Sequence, residues 1–188
     1  IGNPKLSSSD AKAYTLITSI AVPHSDAKEI DYSHNGTVNL DQFTTENKVI
    51  NWKIPEGKWD IISFFMANTG QKLECPSPNS DGLIIDHLSR RATKRDFDTI
   101  LTRLATVMTP ENQLKFLELD SYEVWAARDW TPDFLEQFKI RCGYDPKLFL
   151  PILQGYRSKD SALGERFLGD YHRLVSDMII ENHFSQSV

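Results

Sequence analysis

The feature of this sequence that most constrains its fold is a strand–helix–strand–helix order in the second half of the chain. The apolar run "GLIID" (82–86) predicts one strand, and "LKFLEL" (114–119) predicts another. Residues 90–108 between them carry apolar side chains at helical spacing, and a second helix is predicted to follow Thr131. Alternating strands and helices form parallel sheets with right-handed crossovers. We therefore expect an α/β fold for residues 76–188.

Capping residues mark the predicted helix boundaries. Ser89 is the expected N-cap of the first helix and Thr131 that of the second, which Gly143 ends. A short helix is predicted at 146–150 and a long one at about 162–184. The side chains expected to face the core are Ala92, Phe97, Ile100, Leu101, Leu104 and Val107 in the first helix, and Phe134, Leu135, Phe138 and Ile140 in the second.

The first part of the chain favours strands. The stretch 13–22 is rich in β-branched and aromatic residues, and 48–67 predicts a hairpin with a turn at 55–58. We therefore divide the chain into a β-rich segment, 1–75, and the first strand–helix units of an α/β domain, 76–188. Two parallel strands cannot close a sheet, so the missing strands must lie in the first third or in a longer chain.

Composition and charge exclude several classes of protein. Hydrophobic residues make up 40% of the chain and charged residues 25%, which suits a globular domain with a core. The net charge of −5 gives no support to a nucleic-acid partner, and no apolar run is long enough to span a membrane. Cys75 and Cys142 have no metal-ligand spacing and predict buried free thiols. Both chain ends look cut, because the first residue is Ile1 and the last residues continue a helical pattern.

Acidic residues follow both predicted strands of the second half. Asp86 and His87 come after the first, and Asp120, Tyr122 and Glu123 follow the second. Because parallel strands point the same way, we expect both groups at one edge of the sheet. A glycosidase needs two carboxylates beside the scissile bond, and aromatic faces can bind sugar rings. Three aromatic residues cluster within ten residues of Asp120, namely Tyr122, Trp125 and Trp130.

Each of these residues also has a structural interpretation. Asp86 can stabilise the start of the following helix, and His87 can be a packed structural histidine. Asp120 can hydrogen-bond its own loop, and Trp125 and Trp130 can pack over the sheet edge. Glu123 lies past the strand with no predicted helix to cap, so a functional role fits it best.

Four motifs occur in an order that resembles a known family. They are "WKIPEGKW" (52–59), "DGLIIDHLS" (81–89), "LELDSYE" (117–123) and "DWTPDFLEQFKIRCGYDPKLFLPIL" (129–153). Together they resemble glycoside hydrolase family 106, the bacterial α-L-rhamnosidases. The resemblance covers about residues 48–185, whereas residues 1–47 match nothing that we can name.

The resemblance implies a (β/α)8 TIM barrel with β-rich neighbours, of which this chain would be the opening part. It implies an inverting acid–base mechanism on a carbohydrate, with the remainder of the barrel supplied by a longer chain. Glu123 matches the family's glutamate, and we assign it as the catalytic acid, with its partner carboxylate beyond residue 188. Tyr122 stands where the family often has tryptophan. A calcium ion near the sugar hydroxyls, and a periplasmic or extracellular location, are further implications.

Two other functions stay open on the sequence. The chain could belong to a carbohydrate-binding or inactive glycosidase-like module, which would lack the second carboxylate. It could also belong to a barrel glycosidase that acts on another sugar, which a screen of aryl glycosides would reveal.

Overall fold

The computed structural model describes residues 14–33, 36–73, 75–76, 78–79, 82–118, 124 and 129–186. The chain divides into two compact units. Unit 1 comprises residues 1–6, 69–131 and 175–188, and unit 2 comprises residues 7–68 and 132–174. These units interleave along the chain and do not follow the predicted division at residue 75, which stays a prediction about domains.

The fold of the described residues is mixed α/β. The strands are β1 (Thr15–Pro23), β2 (Glu29–Ile30), β3 (Val38–Asn39), β4 (Trp59–Met66) and β5 (Arg157–Ser158). The α-helices are α1 (Arg90–Ala105), α2 (Phe134–Cys142), α3 (Leu150–Leu153) and α4 (Ser161–Asn182). Short 3-10 helices lie at Asp41–Phe43, Lys147–Phe149 and Phe184–Gln186. The described helices include none that is long and apolar enough to cross a membrane.

Unit 2 contains an antiparallel sheet in the order β3-β1-β4 and a short parallel pair of β2 with β5. The predicted hairpin over 48–67 is wrong, because β4 pairs with β1, from Thr15 opposite Met66 to Pro23 opposite Trp59. Residues 51–55 form no strand, and Lys48 has a positive φ of 61°, which interrupts extended backbone there. The nine-residue β1 offers β4 a much longer ladder.

The core of unit 2 lies between the sheet and the nearby loops and helices. Ile20, Val22 and Ile30 are buried at its centre, and each such side chain stabilises the fold by about 1.5–3 kcal/mol. A second apolar cluster consists of aromatic rings whose centroids lie 5.1–6.4 Å apart in pairs; its members are Phe134, Phe138, Tyr144, Phe149, Phe167 and Tyr171.

Helix α2 confirms the predicted helix but not its start. Its first residue is Phe134 and its N-cap is Asp133, whereas Thr131 lies outside the helix and bonds elsewhere. Gly143 ends the helix in the left-handed region, at a φ of 80° that favours glycine. Phe134 and Phe138 are buried as predicted, but Ile140 is 68% exposed, because it points away from the aromatic cluster.

Helix α1 of unit 1 begins as predicted at Ser89, whose hydroxyl accepts a hydrogen bond from the Ala92 amide at 3.3 Å. Apolar residues predicted to face a core are instead exposed: Ile100, Leu101 and Leu104 in its second half, and Val107 just beyond its end. In the described part of the chain, no element packs over this face.

The two predicted parallel strands are not formed as ladders. Residues 82–86 contribute one antiparallel bridge, Leu83 to Lys72, and residues 114–118 have no strand pairing among the described residues. A parallel strand needs neighbours on its hydrogen-bonding edges, and the residues that the structure describes supply no parallel neighbour for either segment. Cys75 is exposed, so the prediction of a buried thiol is wrong for it, whereas Cys142 is partly buried.

Candidate functional site

Three of the predicted site residues lie in the described part of unit 1: Asp86, His87 and Trp130. The other four, Asp120, Tyr122, Glu123 and Trp125, lie outside the described residues. The assigned roles of all seven stay predictions, and the geometry that follows concerns the first three.

The carboxylate of Asp86 joins two distant parts of the chain. Its Oδ2 accepts a hydrogen bond of 2.7 Å from the hydroxyl of Thr131, a residue that is 1% exposed. Its Oδ1 accepts a bond of 3.0 Å from the backbone amide of Leu88. The second bond closes the local turn that leads into Ser89 and α1, as an aspartate commonly does before a helix.

The Asp86–Thr131 bond defines where the two predicted site segments meet. His87 follows Asp86 directly, and Trp130 directly precedes Thr131. Both side chains are partly buried. Thus the segment after "GLII" and residues 130–131 are joined at one point. The predicted meeting of Asp86 with residues 120–123 at one sheet edge lies outside the described residues and stays a prediction.

His87 packs among aromatic rings. Its ring meets His183 edge-on at 4.5 Å between centroids, and His183 stacks on Phe97 at 6.3 Å. Burial, and secondarily the charge of His183, lowers the pKa of His87 to about 4. The imidazole is therefore neutral at neutral pH. These contacts are those of a structural histidine, and a role in sugar binding stays a prediction.

Comparison with known proteins decides the family. The family model described as alpha-L-rhamnosidase, glycoside hydrolase family 106, matches residues 10–187. The chain belongs to glycoside hydrolase family 106. The predicted family is therefore confirmed, and the match also includes most of the first 47 residues, which the sequence motifs did not connect to the family.

Two relatives of this family-106 chain bear on its function. The rhamnosidase from Novosphingobium sp. PP1Y matches with a TM-score of 0.68 and 26% identity over 80% of the chain. A protein of Formosa agariphila named "Putative beta-glucuronidase" is 30% identical over 154 residues, or 79% of the chain. The chain spans only 15% of the rhamnosidase and 13% of the Formosa protein.

Sequence reasoning missed three residues that build the family-106 site region. Thr131 was assigned as a helix cap, whereas it donates to Asp86. Asn182, near the end of α4, donates a bond of 2.8 Å from its amide to the Leu88 carbonyl, and His183 contacts His87. These partners are 45 to 96 positions apart, so no local pattern connects them.

The described residues do not fit a calcium site. Calcium takes six to eight oxygen ligands, usually with several carboxylates. Among the residues that the structure describes, no group of three or more His, Cys, Asp and Glu side chains could hold a metal ion. Asp86 directs its two carboxylate oxygens at an amide and a hydroxyl of the protein.

Proposed function

We propose that the whole protein containing this chain is a glycoside hydrolase that removes terminal α-L-rhamnose from polysaccharides. The observation that carries the proposal is the structural similarity to a rhamnosidase, at a TM-score of 0.68 over 80% of the chain. The family match over residues 10–187 supports the same reaction class. We place the protein in the periplasm or outside the cell, where polysaccharides are found.

The fold that we propose for the whole protein is a (β/α)8 barrel that begins in residues 76–188. Two surfaces of unit 1 support this proposal. The second half of α1 exposes Ile100, Leu101 and Leu104, which are 38–48% exposed, and the segment 114–118 exposes Phe116 at 80%. Apolar surface of this kind stabilises a fold only when another element covers it. Further strand–helix units of the same barrel would cover both surfaces.

The reaction that we propose is inverting and uses two carboxyl groups. Glu123, as a carboxylic acid, protonates the leaving oxygen. A second carboxylate, from another part of the protein, activates a water molecule on the opposite face of the sugar. Inverting enzymes hold the two carboxyl groups about 6.5–9.5 Å apart, which leaves room for that water.

The sugar pocket that we propose is built around the Asp86–Thr131 bond. His87 and Trp130 flank this bond along the chain and supply partly buried rings. Asp120, Tyr122 and Trp125 complete the set of side chains that we assign to the sugar. Aromatic faces would pack on the apolar face of rhamnose, including its methyl group.

The decisive test replaces the proposed acid in the whole protein. Glu123→Gln is expected to lower the turnover of an alkyl α-L-rhamnoside by about 10²–10⁴-fold, because the amide cannot donate a proton of suitable acidity. The matched control is Glu118→Gln, an exposed glutamate five positions earlier, which should leave turnover unchanged. Near-normal turnover of Glu123→Gln would reject the role of this residue.

The choice between acid and base is tested with the leaving group. A dinitrophenyl rhamnoside needs little protonation, so Glu123→Gln should lose far less activity on it than on an alkyl rhamnoside. Equal losses on both substrates would instead assign Glu123 as the base. The anomeric configuration of the first-formed rhamnose, read by NMR, reports inversion directly.

A second candidate substrate is a β-glucuronide, because the Formosa agariphila relative carries that name at 30% identity. Aryl α-L-rhamnoside and aryl β-glucuronide should be compared by kcat/KM on the same preparation. Preference for the glucuronide would replace rhamnose in the proposal while keeping the reaction class. Hydrolysis of neither, with measurable sugar binding, would favour a binding module.

A further inference from the structure

A chain of hydrogen bonds in unit 1 leads from α4 to Trp130. The side-chain amide of Asn182 donates a hydrogen bond to the carbonyl of Leu88, a residue that is 3% exposed. The backbone amide of Leu88 donates a hydrogen bond to Oδ1 of Asp86. Oδ2 of Asp86 accepts a hydrogen bond of 2.7 Å from the Thr131 hydroxyl. Thr131 is the residue that follows Trp130. Asp86, which accepts the bond from Thr131, is therefore itself held by the Leu88 amide. Leu88 is in turn held by Asn182 at the end of α4.

We infer that Asp86 is a positioning residue that, through the buried hydroxyl of Thr131, fixes Trp130 as a wall of the sugar pocket. The inference rests on the proposed function and deepens it, because it assigns Asp86 a role other than direct contact with sugar. We name the Asp86–Thr131 hydrogen bond the clasp.

The burial of Thr131 explains why the clasp holds its position. A buried hydroxyl without a partner is costly, so the Thr131 side chain keeps its bond to the carboxylate. A bond to an ionised acceptor is also stronger than one between neutral groups. With its hydroxyl bonded and its side chain buried, Thr131 restricts the backbone of the adjacent Trp130, and hence the range of positions open to the indole ring.

The orientation of the Asp86 carboxylate distinguishes positioning from direct binding. One oxygen faces the Leu88 amide and the other faces the Thr131 hydroxyl. A carboxylate that directs both oxygens at protein donors is turned toward the protein. Asp86 and Trp130 are both partly buried, so the orientation of the carboxylate and not its burial distinguishes them. Because both oxygens of Asp86 accept hydrogen bonds from the protein, Trp130 is the residue of this arrangement that we assign to the sugar.

The first test measures kinetics on an aryl α-L-rhamnoside with the whole protein. Thr131→Val keeps the shape but removes the hydroxyl, and we expect KM to rise about five- to tenfold with a smaller change in kcat, as for a displaced aromatic contact. Thr131→Ser keeps the hydroxyl and should restore KM to within about twofold. The matched control, Thr102→Val on the exposed face of α1, should leave both constants unchanged. An unchanged KM in Thr131→Val would overturn the inference.

A double-mutant cycle shows whether the effect passes through Trp130. If the clasp acts on substrate by placing this ring, Thr131→Val should have no further effect on KM in a Trp130→Ala background. Additive effects of the two substitutions would overturn the inference, as would a Trp130→Ala protein with normal KM.

Asp86 variants separate positioning from direct binding and do not depend on Thr131→Val folding well. Asp86→Asn keeps groups that can bond to both the Leu88 amide and the Thr131 hydroxyl, whereas Asp86→Ala keeps none. The clasp predicts that Asn retains most of the affinity and Ala does not. Equal loss in both variants would assign the charge of Asp86 to the sugar and overturn the inference.

Hydroxyl-radical footprinting with mass spectrometry tests the clasp without any activity. Oxidation of Trp130 should increase several-fold in Thr131→Val but not in Thr131→Ser or Thr102→Val. Unchanged oxidation would overturn the clasp, even in a protein that cleaves a different sugar. Failure of the proposed function is recognised separately, because the unsubstituted protein would then leave every rhamnoside intact.

Discussion

The packed pair of His87 and His183 makes the junction of α1 with the end of α4 sensitive to acid. The two rings meet edge-on at 4.5 Å, and the Nδ1 atom of His183 lies 3.5 Å from the Thr93 hydroxyl, which is buried. Burial lowers the pKa of both histidines, to about 4 for His87. Asp96 on α1 partly offsets the shift at His183. Protonation of either ring should therefore loosen this junction.

The sign and size of the effect follow from linkage. The folded pKa of His87 lies below its ordinary value of 6.5, so its contribution to stability is full above 6.5 and is lost as the pH falls toward 4. Between about pH 7.5 and about pH 5, linkage gives a loss of roughly 2 kcal/mol. His87 is only partly buried, and screening by solvent should reduce this to about 1 kcal/mol.

Hydrogen exchange measured by mass spectrometry isolates this junction within the whole protein. The free energy of local opening, for peptides spanning residues 90–97 and 178–183, should fall by about 1 kcal/mol between about pH 7.5 and about pH 5, after correction for intrinsic exchange. In His87→Phe, which keeps an aromatic ring and cannot titrate, most of this loss should disappear. An undiminished loss in His87→Phe would refute the reasoning.

His24 provides the contrasting control, since its hydrogen bond to Asp60 raises the pKa of this exposed ring. Its contribution has the opposite sign, because it is present at low pH and is lost as the pH rises through the raised pKa. His24→Asn should therefore leave the acid sensitivity of the α1 and α4 peptides unchanged.

Two further predictions concern unit 2 and are measured by local hydrogen exchange. Phe138→Ala, at a ring with 0% exposure, should destabilise α2 by about 3–5 kcal/mol, whereas Ile140→Ala, at a residue 68% exposed, should cost under about 1 kcal/mol; equal costs would contradict the aromatic core. Burial alone would raise the pKa of Asp41, but hydrogen bonds from Lys147, at 2.7 Å, and from a threonine lower it. Lys147→Met should therefore cost about 1–2 kcal/mol at neutral pH and reduce the stability lost as the pH falls through the lowered pKa of Asp41; an unchanged acid profile would show that the ion pair contributes nothing.

Local signals in the sequence were sufficient where an element stabilises itself. Ser89 was predicted as an N-cap, and its hydroxyl accepts a hydrogen bond from the Ala92 amide. A serine is favoured there because its side-chain oxygen satisfies an amide of the first helical turn. Gly143 ends α2 with the positive φ expected of a C-terminal glycine. The long helix predicted over 162–184 is observed as Ser161–Asn182, since its periodic apolar residues span many turns.

Pairing between distant segments could not be read in the same way. The stretch 48–54 alternates and is close to β4 in sequence, which favours a hairpin on local grounds. β4 instead pairs with β1, more than forty positions away along most of the ladder, because β1 supplies a long strand that buries Ile20 and Val22. A local hairpin would cost less loop-closure entropy. The apolar surface that β4 and β1 bury together stabilises the fold by more than this difference.

The candidate site shows how the two kinds of information combine. An acid at a predicted strand end was visible at Asp86, and its residue type allowed a helix-stabilising role or a sugar ligand, but a link to another segment was not predicted. The partner decides among them, and Thr131 had already been assigned locally as a helix cap, a position that Asp133 occupies instead. Thr131 lies two positions before the N-cap, and its hydroxyl donates to a carboxylate 45 positions away, a partner that no local pattern indicates. The role of Asp86 therefore depends on its bond to Thr131. Removing the hydrogen-bonding group of either residue should displace Trp130 in the same way.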